Sequence, residues 1–429
     1  MQKVIEREAH PEDAQEALGR IGAADVVLGV PTYNNRETVG RMAEASLRAL
    51  SDGFAGGRVV IINPDGSSRD GTAEHLREII GDRIPLLQVQ YPVYPVDRLS
   101  APLAGVPGRT EAALTIFRLA RQLGAKACAL LDAEVESITP EWIDRLTRPV
   151  LEGGVDLVVP AYRRQRFEGL INSGVLSPFA RALFGKRLRQ PAGADLGFSA
   201  ALMDLYLDQT TSNTQRPPLM DPWSTVPAVI HGFRIGQSSL GPRLVGPREV
   251  PPDLSSTLRE VLSNMFGKME LTAPYWQKAR GVEAVPWFGP PLEIGAERSE
   301  LHRKPMIDAF RQGCHDLLEI WRLFLPPATL LDLRRMERQP DGELRFADDL
   351  WARVVYDFAL GYHLRSLGRD HLLQAITPLY LGWAASFTGE MQNADGMEVE
   401  ARFERLSMQF DAQKRYLISR WRWPDKFSP

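Results

Sequence analysis

Cysteine is almost missing from this 429-residue chain: only Cys128 and Cys314 occur, far apart and each without a second cysteine nearby. Neither a disulfide framework nor a thiolate metal cluster can be built from them, and a reducing compartment fits. The seven histidines show no HxxxH or other zinc-type spacing. Long apolar runs are lacking too, since the most apolar late stretch, Leu372–Phe387, is short and carries Pro378. At the N-terminus, Glu6, Glu8, His10, Glu12 and Asp13 stand where a signal peptide would be basic and then apolar. These two features lead us to expect a cytoplasmic protein that is neither secreted nor membrane-spanning. A surplus of one charge is also absent: 51 Lys and Arg against 54 Asp and Glu give a formal charge of −3, so the overall balance recruits neither nucleic acid nor an anionic membrane. No internal repeat or low-complexity tract is apparent.

What is present is an ordinary globular composition, 44% hydrophobic and 24% charged. A single core usually stops growing at about 250–300 residues, so the length predicts more than one domain. From Ala24 onward, short apolar runs alternate with helix-period segments. The runs 26–30, 59–62, 86–89, 127–131 and 155–159 read as strands. Between the first two, Val39, Met42, Ala43, Leu47 and Leu50 share one helical face, opened by Asn34 or Asn35 as N-cap. A second helix fits 109–123, where Ala112, Ala113, Ile116, Phe117, Ala120 and Leu123 form the buried stripe. Continuous apolar strands, each followed by a helix, predict an α/β fold with a mainly parallel sheet that binds ligands beyond its strand C-termini.

Residues 280–298 are rich in Gly and Pro and read as a connection. Beyond them, 301–325, 345–366, 370–389 and 397–422 show helical periodicity with no strand pattern. The expected organisation is an N-terminal extension (1–23), an α/β domain (24–279), a linker (280–300) and a helical C-terminal domain (301–429). Trp321, Trp351, Tyr356, Phe358, Tyr362, Tyr380, Trp383 and Phe387 in that last part serve helix packing or contacts of a homodimer.

Three loops carry candidate chemistry. The first strand ends in VPTYNNRETV, which exposes Tyr33, Asn34, Asn35 and Glu37 after Pro31. Either these contact a base or ribose, or Asn35 caps the helix and Tyr33 packs on the sheet. The second strand runs into Asp65, Gly66, Ser67, Ser68, Asp70 and Gly71. Turn chemistry accounts for most of this loop, whereas Asp65 is placed to accept from a base imide or a ribose hydroxyl. The strand 127–131 runs into Asp132, Ala133 and Glu134, whose carboxylates alternation puts on one side. There they either hold a divalent cation and its diphosphate, or cap and solvate the helix that follows.

In order and spacing these loops resemble those of GT-A glycosyltransferases of the family 2 type, with their P-x-x-N, D-x-S/G-S-T-D-x-T and DxD motifs. The closer resemblance is to glucosyl-3-phosphoglycerate and mannosylglycerate synthases, whose stretch after the third strand is matched by Gly108, Arg109, Thr110, Glu111 and Ala112. Their Q-P-L-G/S-G-E stretch is matched by QPAGADLGFSAAL, with Gln190, Pro191, Gly193 and Asp195. The resemblance covers residues 24–245 and implies a GT-A domain with a Rossmann-like mixed sheet. It further implies retaining transfer of a hexose from a UDP- or GDP-sugar to a small anionic acceptor of the glycerate or 3-phosphoglycerate kind.

Carried over residue by residue, it assigns the nucleotide sugar to Pro31, Tyr33, Asn35, Glu37, Asp65, Gly108, Arg109 and Asp132. Mg²⁺ or Mn²⁺ falls to Asp132 and Glu134, the acceptor to Gly193 and Ala194, and catalytic positions to Asp195 and Asp221. Arg163 and Arg166, drawn from the basic stretch 162–189, are the candidate binders of the acceptor's negative charge; a solvated helix face is the other reading of that stretch. The chain departs from the pattern in four places: Glu134 ends the DxD, Arg109 replaces Lys, the loop at 65–72 is one residue longer, and GPRLVGP leaves no histidine between His231 and His302, where the family has a metal ligand. A second function class follows from these departures, a nucleotide-sugar-binding or partner-binding protein without turnover. A nucleotidyltransferase is a third, but it would open with a Gly-rich basic loop that VPTYNNRETV lacks.

Overall fold

Aliphatic runs too short for helices set the frame of the first half of the protein. The computed structural model describes residues 11–52, 54, 57–91, 93, 106, 108–211, 225–246, 253–295 and 302–423. They divide into two compact units: residues 1–162, 192–251 and 286–292 form one, and 163–191, 252–285 and 293–429 the other. The segments 163–191 and 252–285 therefore group with the C-terminal helices and not with the α/β part, unlike the expected division at 279.

The first unit is built on β1 (Val26–Gly29), β2 (Val59–Asp65), β3 (Leu86–Gln90), β4 (Ala127–Leu130), β5 (Leu157–Arg163), β6 (Leu196–Ser199), β7 (Ile235–Pro242) and β8 (Trp287–Phe288). Its helices are α1 (Pro11–Ile21), α2 (Arg36–Ser51), α3 (Thr72–Ile80), α4 (Arg109–Gln122), α5 (Pro140–Leu151), α6 (Ala200–Thr211) and α7 (Thr225–Ile230). The strands join in one mixed, mostly parallel eight-stranded sheet of order β8–β7–β5–β6–β4–β1–β2–β3. Every residue of β1, β2 and β4 is buried, as central strands covered by helices on both faces must be. The expected linker is more than a connection, because Trp287 and Phe288 lie parallel to Gln237 and Ser238 as the edge strand. The expected N-terminal extension contains α1, where Leu18 is buried.

Two features of this sheet position the site. The chain runs from β1 outward through β2 to β3 and then crosses to β4 on the other side of β1, so the strand order reverses between β1 and β4. A crevice opens at such a reversal beyond the strand C-termini. In addition, β6 runs antiparallel to β4, with Leu130 opposite Leu196. The residues just before β6 thereby meet those just after β4.

The second unit is helical, with α8 (Leu254–Leu271), α9 (Arg303–Asp316), α10 (Pro327–Glu337), α11 (Asp348–Leu364), α12 (Thr377–Glu390) and α13 (Gly396–Arg422), together with the helix Ser177–Phe184. Its core is aromatic. Trp351 stacks on Trp383 with centroids 5.6 Å apart, Trp383 on Phe387 at 5.6 Å and Phe387 on Phe403 at 4.7 Å. All eight aromatics singled out above are buried here, which is the packing role and leaves none of them exposed for a second copy.

The basic stretch is neither a solvated face nor open to a ligand along most of its length. Arg181 donates to Glu404 at 2.8 Å and to Asp411 at 2.9 Å, Arg189 donates to Glu400 at 2.7 Å, and Arg187 also pairs with Glu404. All three carboxylates sit on α13, so these arginines clamp the helix Ser177–Phe184 region to it. Arg166 donates to the backbone carbonyls of Met391, at 3.2 Å, and Gln392. The side chain of Arg163 is exposed at the end of β5.

A buried carboxylate sets a pH dependence of this unit. Asp357 on α11 is fully buried, accepts from Tyr416 Oη at 2.6 Å and pairs with Arg420. Burial raises its carboxyl to about 7 against the partial opposition of Arg420. A raised carboxyl favours the fold while it stays protonated, so its contribution is full below about pH 4 and is lost as pH rises toward 7, by about 1.4 kcal/mol per pH unit. The melting temperature of the wild type relative to Asp357→Asn should therefore fall steadily between pH 4.5 and 7 in parallel melting curves; a difference that stays flat or grows would refute the assignment.

Candidate functional site

The ends of β1 and β2 are tied to each other before any ligand arrives. Asn63 Nδ2 donates to Val30 O at 2.8 Å and to Thr32 Oγ1 at 2.9 Å, and Thr32 Oγ1 donates to Asp65 Oδ1 at 2.8 Å. Asp65 also accepts from Ser68 N at 2.7 Å and Ser68 Oγ at 2.6 Å. Each of its oxygens thus already serves its own loop. Asn35 occupies the N-cap position of α2, but its Oδ1 accepts from Tyr33 N at 2.8 Å instead of bonding a helix N–H. Glu37 is exposed in the first turn of α2. Tyr33, Asn35 and Asp65 lie on the adjoining loops after β1 and β2, with Glu37 in the first turn of α2, and Arg36 N ties the α2 start to the α3 loop by donating to Asp70 Oδ2 at 2.9 Å.

Beside these loops, at the reversal of the sheet, lies a cavity of about 130 Å³ lined by Pro31, Arg109, Asp132, Glu134, Ala194 and Arg243, with Val106, Ala113, Leu130 and Leu131 as its apolar wall. Gly108 carries a φ of 60° at the N-cap of α4, a left-handed turn that suits glycine and aims Arg109 inward. Arg109 Nη2 donates to Ala194 O at 3.0 Å. A Cβ at Gly193 would meet Pro160 Cγ at 2.3 Å, so glycine is what lets 192–195 lie against β5.

The antiparallel pairing of β4 and β6 then produces the central contact: Asp132 N donates to Asp195 Oδ1 at 2.9 Å. Asp195 is wholly buried, and its other oxygen accepts from Tyr162 Oη. Arg243, just beyond β7, donates from Nη2 to Asp132 Oδ2 at 2.5 Å, and its Nε lies 3.9 Å from Asp195 Oδ2. Its guanidinium also covers the Tyr162 ring at 5.7 Å. The backbone fixes this arrangement. Ser137 Oγ donates to Pro242 O at 2.8 Å and accepts from Leu244 N at 2.9 Å, Glu136 N donates to Leu244 O at 2.9 Å, and Gly246 N donates to Glu134 O at 3.0 Å. The acidic loop and the arginine loop are zipped together residue by residue.

The charges follow from this geometry. Burial would raise Asp132, but Arg243 and then Arg109 outweigh it and hold the carboxyl below its ordinary value. Asp195 goes the other way, to about 6, because burial and the neighbouring negative charge of Asp132 exceed the help of Arg243 and Tyr162. Burial, followed by the charge of Asp195, pushes the Tyr162 hydroxyl well above its usual value, so it remains a donor.

The divalent cation implied by the motif resemblance does not fit these residues. Asp132 Oδ2 is taken by a guanidinium and its Oδ1 accepts from Glu134 N at 3.0 Å. Among the described residues no three His, Cys, Asp or Glu side chains converge to hold a metal. A dication ~4 Å from Arg243 would be repelled by ~8 kcal/mol at an effective dielectric constant of ~20.

Of the residues singled out from sequence, Pro31, Arg109, Asp132, Glu134 and Ala194 line the cavity, with Gly108, Gly193 and Asp195 directly behind them. Asp195 is wholly buried behind the cavity wall, in contact with Asp132 N and Tyr162 Oη and 3.9 Å from Arg243 Nε. Arg163 and Arg166 belong to the second unit, and Asp221 lies outside the described residues. Arg243 and Tyr162 were not singled out; both stand at the C-terminal ends of sheet strands, the one signal that marks them.

Comparison with known proteins found no matching family model and no matching curated protein. Solved structures similar to this chain include glucosyl-3-phosphoglycerate synthase from Mycobacterium tuberculosis in complex with phosphoglyceric acid, at 18% identity over 60% of this chain and 82% of that one, with a TM-score of 0.39. Mannosyl-3-phosphoglycerate synthase from Rubrobacter xylanophilus is similar at 19% identity over 63% and 82%, with a TM-score of 0.41. Likeness at this level assigns no activity.

Tyr162→Phe keeps the ring, which packs 5.6 Å from Trp142, but removes one donor from a buried carboxylate. It should destabilise the protein by about 1–3 kcal/mol. Loss of that donor raises Asp195 further, so the cost should be larger at pH 8 than at pH 5; equal cost at both, in denaturant titrations, would exclude the Tyr162–Asp195 bond.

Proposed function

We propose that the chain transfers a hexose from a nucleotide-diphosphate sugar to a small anionic acceptor. The observation that carries this reading is the cavity at the strand-order reversal, into which Arg109 and Arg243 bring two permanent positive charges beside the polar loops of β1 and β2. Guanidinium groups suit a diphosphate through paired, charge-assisted hydrogen bonds. Tyr33, Asn35, Glu37 and Asp65 would take the nucleoside, and the Gly193–Ala194 turn would face the sugar and acceptor. The motif resemblance set out above supports a retaining outcome and a glycerate-like acceptor.

In such a transfer the sugar–diphosphate bond breaks as the acceptor hydroxyl attacks the anomeric carbon. Stabilisation of the departing diphosphate is then the main electrostatic task of the site. Arg109 and Arg243 would meet that charge, while Asp195 and Tyr162 hold Arg243 in place.

A thermal-shift and product screen of UDP- and GDP-sugars with glycerate and 3-phosphoglycerate tests the reading. We expect stabilisation by one nucleotide family and formation of a glycoside, with Arg109→Ala weakening donor affinity by about 10- to 100-fold through a lost charge-assisted contact. No stabilisation by any nucleotide would sink the proposal, and stabilisation without product would reduce it to a donor-binding protein.

A further inference from the structure

Arg243, within the GPRLVGP stretch that lacks the family's histidine, is the best-held cation in the site. Arg243 is braced on three sides: by Asp132 at 2.5 Å, by Asp195 at 3.9 Å and by the Tyr162 ring at 5.7 Å. Its backbone is pinned on both flanks by the pairing of 242–246 with 134–137. It nevertheless lines the cavity and is about a quarter exposed, at 23%. A guanidinium has five donors in a rigid fork, and the hydrogen bond to Asp132 uses one of them.

From this we infer that Arg243 is the built-in cation of the donor site: it binds the diphosphate directly where a divalent metal would otherwise bridge it to Asp132, and the protein works without a metal ion. The inference rests on the donor reading proposed above and deepens it. In the transfer, the bond between the anomeric carbon and the β-phosphate oxygen breaks and its electron pair passes to the diphosphate. The acceptor oxygen bonds to the anomeric carbon, and its proton passes to the diphosphate oxygen just released. Arg243 exchanges no proton; it offsets the extra negative charge that the diphosphate gains. Asp132 acts in turn as a positioning residue, orienting the fork toward the cavity.

The test is calorimetric titration of UDP and of GDP into the full-length protein, in EDTA and in MnCl₂ in excess over protein and nucleotide. We expect the nucleotide that binds to do so with the same affinity in both buffers. Arg243→Ala should weaken it by about 10- to 100-fold in either buffer, and Arg243→Lys, which keeps the charge but loses the fork, by an intermediate factor. Binding by the wild type that disappears in EDTA would overturn the inference while leaving the donor reading intact. Nucleotide binding unchanged in a folded Arg243→Ala would also overturn it. Absence of binding in both buffers would instead bring down the donor reading, and this inference with it. The wild-type comparison needs no variant, so misfolding of Arg243→Ala would not spare the inference.

Discussion

A single guanidinium set against two adjoining carboxylates organises the first unit's site. Asp132 donates its backbone N–H to Asp195, which brings two acidic groups together in a largely buried place. Two such groups cannot both ionise cheaply without a counter-charge. Arg243 supplies it, and the outcome is uneven: Asp132, directly paired and exposed to the field of Arg109 as well, is held low, while Asp195 beneath it rises to about 6. Tyr162 completes the arrangement as a donor whose own hydroxyl burial keeps protonated.

That interaction depends on topology before it depends on side chains. Because β6 is antiparallel to β4 and opposes it at Leu130 and Leu196, the segment 193–195 is delivered to the end of β4 from the opposite direction. An all-parallel sheet would have put it at the far end. The strand pair β5 and β7 then supplies Tyr162 and Arg243 from the same edge. Four strand ends converge here, and none of the four contributing segments is adjacent in sequence.

This explains what could be read from the residues and what could not. The runs around Val26, Val59 and Ala127 are continuous and apolar, that at Leu86 is broken only by Gln88, and each is a strand within a few residues of its expected limits. The acidic pair after β4 is legible as two carboxylates following an apolar strand and the Gly108–Arg109 turn only through the motif resemblance, and both line or border the cavity. By contrast β6 (LGFS) offers only Leu196 and Phe198 as apolar side chains, and β8 is two residues long inside a Gly- and Pro-rich stretch; neither shows an apolar run. Arg243 was hidden for a different reason. A lone arginine in GPRLVGP carries no pattern, and its meaning comes from a partner 111 positions away. The basic stretch 162–189 misled in the opposite sense, since its charge was conspicuous but its partners, Glu400, Glu404 and Asp411, lay more than 200 positions further on.

A guanidinium in the place of a metal ion, as inferred above, would have a physical consequence for how such a site works. A divalent ion brings two charges but must be captured, and its ligands must be kept free of other cations. Arg243 brings one charge that is never lost, and Arg109, at the start of α4, brings a second. Together the two equal the charge of one divalent ion, divided between two rigid forks. A divided charge contacts more phosphate oxygens at fixed directions, which favours orientation of the donor, but it concentrates less field at any one oxygen than a metal would. Such a site is built for positioning first, with leaving-group stabilisation spread over both phosphates. The Asp195–Tyr162 support beneath Arg243 therefore matters as much as the arginine itself, because a fork that swings loses the directional advantage that compensates for its weaker charge.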